Sequence, residues 1–246
     1  MSDTERKIPV NDSEQKDLYK YLLRLATYAS VIVATILIFI KIHGWIETDS
    51  VSLLSSLLDS VLDAGASILN LIAVRHALVP ADKEHRFGHG KAEALAGLVQ
   101  AAFIAGSGVF LLIELTERMF NPREVSNSET GIVIMMIAIL LTATLVGFQT
   151  FVIRKTNSLA IIADSFHYKA DLLVNIAVII SLFISVNLKW TLADPIFALL
   201  IISYMGYGAY KIGIKALDVV MDKEFPDADR EKIRNIAESH EKVLNV

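Results

Sequence analysis

Two apolar stretches carry the residues with chemistry in them: Leu57-Leu58-Asp59-Ser60-Val61-Leu62-Asp63 and Phe166-His167-Tyr168-Lys169-Ala170-Asp171. Asp59 and Asp63 stand four residues apart, as do His167 and Asp171, and that spacing puts both side chains of a pair on one helix face. Each stretch lies in a segment long enough to span a bilayer. A carboxylate near the middle of a span costs about 2.5–3.5 kcal/mol on insertion scales, so three of them oppose insertion by roughly 8–10 kcal/mol unless something compensates them. Residues 51–70 contain no lysine or arginine, and like charges one turn apart repel unless a cation or proton lies between them. Three carboxylates and an imidazole meeting between two helices would form a four-ligand site for a divalent cation, with protons replacing the metal when it leaves.

A second cluster occupies the polar run Asp82-Lys83-Glu84-His85-Arg86-Phe87-Gly88-His89-Gly90-Lys91. Asp82, His85 and His89, at spacings of three and four, can gather around one Zn²⁺, with Gly88 and Gly90 easing the tight path. The plainer alternative is a solvated turn with incidental histidines. His43 and His76 sit near span ends and read as interfacial, and His240 reads as solvated. Glu93, Gln100 and Glu114 have no spaced partner and are assigned no role. Gly97, Gly106 and Gly108 suit close helix packing better than a site. Lys169 falls on a different face from His167 and Asp171 and reads as snorkelling or as a partner for Asp164 or another carboxylate.

These residues must be held by membrane helices. The chain has 246 residues, 54% of them hydrophobic, and a mean hydropathy of +0.51, far more apolar than a soluble domain of this size. The absence of cysteine removes disulfides, thiolate metal sites and cysteine nucleophiles, so a bound metal must be held by His, Asp or Glu. A net charge of −4 with no dense basic patch sets nucleic acid aside as a partner. Residues 1–20 are polar and lack the apolar core of a cleavable signal peptide, so they are expected to remain as a tail.

Six apolar segments follow, at about 22–46, 51–79, 91–120, 131–153, 158–187 and 194–220. Pro80 and Asn121-Pro122 stop the second and third, and Asp194-Pro195 reads as an N-cap with proline in the first turn of the sixth. Lys and Arg collect in alternate loops: Arg6, Lys7, Lys16 and Lys20 in the tail; Lys83, Arg86 and Lys91; Arg154 and Lys155; then Lys211, Lys215 and Lys223. The other side is poorer, with Lys189 alone before the last span and Arg118 and Arg123 diluted by glutamates. That asymmetry predicts an all-α integral membrane protein of six transmembrane helices, with both termini in the cytoplasm and Trp45 and Trp190 at the outer interface. Residues 1–20 form the cytoplasmic tail and 21–220 the membrane domain. Residues 221–246 form the start of a cytoplasmic domain, with Ile233, Ile236, Ala237 and Val243 at near-helical spacing and too little chain to bury a core.

At these residues the sequence resembles the cation diffusion facilitator family, and within it the bacterial ferrous-iron/zinc efflux pumps. The resemblance covers essentially the whole membrane region. It rests on Leu58-Asp59-Ser60-x-x-Asp63-x-x-Ala66-Ser67, on Pro80-Ala81-Asp82-x-x-His85-x-Phe87-Gly88-His89-Gly90-Lys91-Ala92-Glu93, and on Ala163-Asp164-Ser165-x-His167-Tyr168-Lys169-x-Asp171. It implies a homodimeric carrier of the bacterial inner membrane that exchanges cytoplasmic Zn²⁺, or Cd²⁺ or Fe²⁺, for protons by alternating access. It further implies that Asp59, Asp63, His167 and Asp171 form the transport site and that Asp82, His85 and His89 form a loop site. Phe166 matches the family's hydrophobic gate, and Lys91 with Asp222 matches its charge interlock near the membrane surface. The family's usual cytoplasmic domain is represented only by its opening helix, and none of its metal ligands can be assigned.

The expected function is therefore proton-coupled efflux of divalent metal cations. A proton-coupled exporter of organic cations would use the same carboxylates without metal. A membrane-embedded metallohydrolase would need an open metal position and a general base, but no His-Glu-x-x-His helix is present.

Overall fold

The computed structural model describes residues 12–48, 51–120, 129–188, 193–240 and 243. Among them it contains α-helices and no strand: α1 (Asp12–Thr48), α2 (Val51–Ala77), α3 (Lys91–Phe120), α4 (Glu129–Thr156), α5 (Leu159–Leu188), α6 (Ala193–Val220) and α7 (Asp227–Glu238). The expected stop at Asn121-Pro122, and Arg6, Lys7, Arg123, Lys189 and Trp190, lie outside the described residues.

Among the described residues, five helical segments are long and apolar enough to cross a membrane: Lys16–Glu47, Ser56–Ala77, Lys91–Glu117, Val133–Thr156 and Pro195–Val220. α5 is as long as α3, at 30 residues each, but carries Asp164, Lys169 and Asp171 in its first half. Large apolar side chains such as Ile32, Phe39, Leu140, Phe151 and Leu200 point outward, the surface that hydrocarbon rather than water would cover.

Two differences from expectation concern helix starts. α1 begins at Asp12, so part of the anticipated tail is helical; a long apolar helix once nucleated extends through a few polar residues at little cost. α6 begins at Ala193, which puts Asp194 inside its first turn and not at the cap. At the other end, α7 stops at Glu238, short of Val243, and leaves Ile233 and Ile236 exposed.

The helices pack through small residues. One core joins Leu22, Leu23 and Ala26 of α1, Val74 of α2, Val152 of α4, and Ala160 and Ile161 of α5. A second joins Ala101 and Ile104 of α3, Ala163 and Ala170 of α5, and Ile201, Met205, Ala209 and Ile212 of α6. α3, through Ala96 in the first core, and α5 are common to both. Lipid tails are as apolar as leucine, so close approach and dispersion, not hydrophobic burial, hold such helices together. Of the glycines expected to serve packing, Gly97 lies against Leu159 and Ala216, Gly108 against Met205, and Gly106 faces open space.

Candidate metal centre

α2 and α5 touch mainly through one polar seam. Asp63 of α2 and His167 and Asp171 of α5 offer ligand atoms that all lie within 4.8 Å of one another. His167 Nε2 is 2.8 Å from Asp63 Oδ1 and 3.6 Å from Asp171 Oδ2. The His167 ring is buried, and both carboxylates are half-buried. His167 Nδ1 and Asp171 Oδ2 are buried without a hydrogen-bond partner, a costly state unless something else is meant to bind there. One turn further along α2, Ser67 shares a 2.8 Å hydrogen bond with the Tyr168 hydroxyl, which fixes the register of the two helices.

Asp59 lies outside this trio and is exposed. Its electrostatic neighbours are Asp63, Lys41 and Glu114. The lysine missing from α2 itself is thus supplied by α1: Lys41 Nζ donates to Ser60 Oγ at 2.6 Å and to the Ser56 carbonyl at 3.0 Å. Sequence reading passed over Lys41. The signal that would have found it is a lone lysine in the apolar run Leu37-Ile38-Phe39-Ile40-Lys41-Ile42.

Of the alternatives for Lys169, pairing with Asp164 is not the one the fold adopts. The partners of Asp164 are not Lys169 but Ser30 Oγ at 2.6 Å, Gln149 Nε2 at 2.7 Å and Gln100 Nε2 at 3.3 Å, contributed by α1, α4 and α3. Gln149 also donates to Ser30 Oγ at 3.0 Å. Gln100, assigned no role from sequence, is one of the donors. Four helices meet at one fully buried carboxylate.

Phe166 packs its ring directly on the backbone of Gly208 in α6 and stacks on Tyr204, with ring centroids 4.8 Å apart. A Cβ at position 208 would overlap that ring. Gly208→Ala is expected to expel Phe166 from its seat at a cost of about 1–3 kcal/mol, read as a lowered unfolding midpoint in detergent. Phe166→Ala in the same background should relieve the overlap.

The α2–α3 loop is built on Asp82. Its Oδ1 accepts from the backbone N–H groups of His85 at 2.6 Å and Glu84 at 2.9 Å. Gly88, at φ +81°, returns its own N–H to the His85 carbonyl at 2.9 Å. This turn gathers the two imidazoles on one carboxylate: His85 Nδ1 lies 3.3 Å from Oδ1 and His89 Nε2 lies 3.5 Å from Oδ2. Asp82, His85 and His89 place ligand atoms within 4.8 Å of one another. The ring of His76, at the end of α2, packs edge-on against His89 with centroids 5.0 Å apart. Gly88→Ala is expected to cost about 1–2 kcal/mol of loop order, measured as faster amide exchange at His85.

The His85 backbone N–H, followed by that of Glu84, holds the Asp82 carboxyl below its ordinary range. A carboxylate depressed in the folded state stabilises the turn above the unfolded value and ceases to do so as pH falls through the folded one. Acidification is therefore expected to loosen the loop only below the ordinary carboxylate range, a point amide exchange against pH would locate.

Lys91 Nζ meets Asp222 Oδ2 at 2.7 Å and the Val220 carbonyl at 3.2 Å, tying the start of α3 to the end of α6. Both side chains are exposed, so the pair by itself contributes little.

Comparison with known proteins agrees with this architecture. The cation efflux transmembrane domain matches residues 27–221. The cation-efflux pump FieF of Shewanella oneidensis is 44% identical over 232 residues, covering 94% of this chain and 78% of the relative. The FieF proteins of Yersinia enterocolitica and Citrobacter koseri are each 42% identical, over 92% and 90% of this chain and 75% and 73% of their own lengths. By the match over residues 27–221 and by these relatives, the chain belongs to the cation efflux family, the cation diffusion facilitators, and is a membrane transporter and not an enzyme.

Proposed function

We propose that this protein is a proton-coupled antiporter that exports divalent metal cations from the bacterial cytoplasm across the inner membrane. The observation that carries the reading is the convergence of Asp63, His167 and Asp171 from two helices, with one imidazole nitrogen and one carboxylate oxygen left without a hydrogen bond. Asp59, one turn from Asp63 on the same helix, completes the ligand set when the helices shift. Carboxylates and imidazole must lose protons to bind a metal, so metal and protons are mutually exclusive occupants and one can drive out the other. Alternating access then needs only a rocking of α2 and α5 that exposes the same ligands to either side. One imidazole with oxygen ligands suits Zn²⁺, with Cd²⁺ and Fe²⁺ as further cargo.

In this reading the chain crosses the membrane six times, α5 included, with both termini in the cytoplasm and residues 221–246 opening a cytoplasmic domain. It acts as a homodimer. Asp82, His85 and His89 form a cytoplasmic metal site beside the transport helices, Phe166 gates the path from its seat on α6, and Lys91 with Asp222 braces α3 to α6 during the motion. The test is metal uptake into proteoliposomes under an imposed pH gradient across several divalent ions. Uptake that follows the gradient and collapses with it supports the reading; gradient-independent uptake, or none for any divalent ion, overturns it. Export of organic cations by the same carboxylates would leave calorimetry with no stoichiometric Zn²⁺ binding and His167→Ala without effect.

A further inference from the structure

We infer that Lys41 is the resident counter-cation of the acidic site, and that its charge holds the affinity for a divalent ion low enough for the ion to be released. The inference rests on the transport-site reading of Asp59, Asp63, His167 and Asp171, and adds to it an affinity-determining residue from a helix that contributes no ligand.

The lysine is placed, not loose. It arises from an apolar run of α1, yet its ammonium reaches across to α2 and donates to Ser60 Oγ at 2.6 Å and to the Ser56 carbonyl at 3.0 Å. Ser56, Ser60, Asp63 and Ser67 follow one another at helical spacing, so Lys41 sits on the stripe that carries the ligand Asp63. Asp63, Asp59 and Asp171 are the carboxylates that act on it electrostatically. Ser60 itself is 2% exposed, so the ammonium of the half-buried lysine is held by a buried hydroxyl. A lysine within a span is expected to be compensated by negative charge. Here three carboxylates do so.

Charge balance gives the arrangement a purpose. With imidazole neutral, the ligand set carries three negative charges and a divalent ion cancels two. Lys41 cancels the third, so the loaded site is neutral while it moves through a low-dielectric bundle. A fixed positive charge near the site also opposes the incoming metal, and at short range and an effective dielectric near 20 that opposition is worth more than a factor of about ten in affinity. Without it the carboxylates would hold the ion too tightly to let it go.

The experiment uses the full chain with the loop cluster disabled by His85→Ala and His89→Ala, so that one class of site remains. Zn²⁺ and Cd²⁺ dissociation constants are measured in detergent in alkaline buffer, where protons compete little for carboxylates. Lys41→Gln is expected to bind at least about tenfold more tightly and to turn over more slowly in liposomes. Lys41→Arg, which keeps the charge, should stay within about threefold of the parent, as should Ser60→Ala, which removes the hydrogen bond but not the charge. Unchanged or weakened binding in Lys41→Gln overturns the inference, as does equal tightening in Ser60→Ala. If Lys41→Gln does not fold, Lys41→Met poses the same question with an apolar stem of similar length. Asp63→Asn separates the two levels: retained binding in that variant removes the transport-site reading itself, whereas lost binding with an unaltered Lys41→Gln removes only the role of Lys41.

Discussion

Asp63→Ala is expected to abolish metal transport in proteoliposomes and to weaken Zn²⁺ binding at the membrane site by more than about 100-fold, because even outer-shell partners of a metal are worth 10–100-fold. Asp63 joins α2 to α5 through a 2.8 Å contact with His167 Nε2. Its loss removes a ligand and also frees the imidazole to turn. His167→Ala should match it in transport, while leaving α2 and α5 joined through Ser67 and Tyr168. The loop trio is separate in the fold, so an Asp82→Ala protein should keep the membrane site's affinity. Calorimetry on the single and combined variants distinguishes the two sites, and normal Zn²⁺ transport by Asp63→Ala would end the proposed mechanism.

The second large effect concerns stability. Asp164→Ala should destabilise the bundle by about 3–5 kcal/mol, seen as a lower midpoint in detergent-mediated unfolding. The carboxylate accepts hydrogen bonds from Ser30, Gln149 and Gln100. Removing it leaves donors from α1, α3 and α4 facing one another in a buried space, each unsatisfied group costing about 1–3 kcal/mol. Asp164→Asn retains an acceptor and should cost less. Lys169→Ala should not reproduce the effect, since Lys169 is not among the partners of Asp164. Because four helices share this point, loss of the network is expected to lower the midpoint for the whole bundle and not to fray one helix.

The two effects differ in kind, and the difference follows from what each polar group meets. Asp164 is met on all sides by protein donors, so its energetics are complete without a ligand. His167 Nδ1 and Asp171 Oδ2 are buried without such partners, so theirs are not. In the proposed function, this is where cargo or protons bind.

Much of this was legible in the residues themselves. Spacing of four placed Asp59 with Asp63 and His167 with Asp171 on shared helix faces, because an α-helix repeats every 3.6 residues whatever surrounds it. Prolines and polar runs bounded the helices to within a few residues, except at α1, where polarity concealed a helical extension to Asp12. The turn at Asp82 was legible too, since Asx chemistry and a glycine at positive φ are local matters.

What local rules could not supply was every partnership between helices. Lys41 lies 22 positions from Asp63 along the chain, and Ser30 lies 134 from Asp164; no periodicity links them. The same holds for Gln100, for His76 against His89, and for the Gly208 notch that receives Phe166. By itself the sequence determined which residues are too polar for a membrane and which helix face each pair occupies. Only the packing of α1, α3, α4 and α6 around α2 and α5 decided which carboxylate is closed off by protein donors, which pair is left open to an ion, and which lysine stands beside it. Hydrogen-bond and charge complementarity between helices is set by their mutual rotation and depth, and a one-dimensional pattern leaves both undetermined.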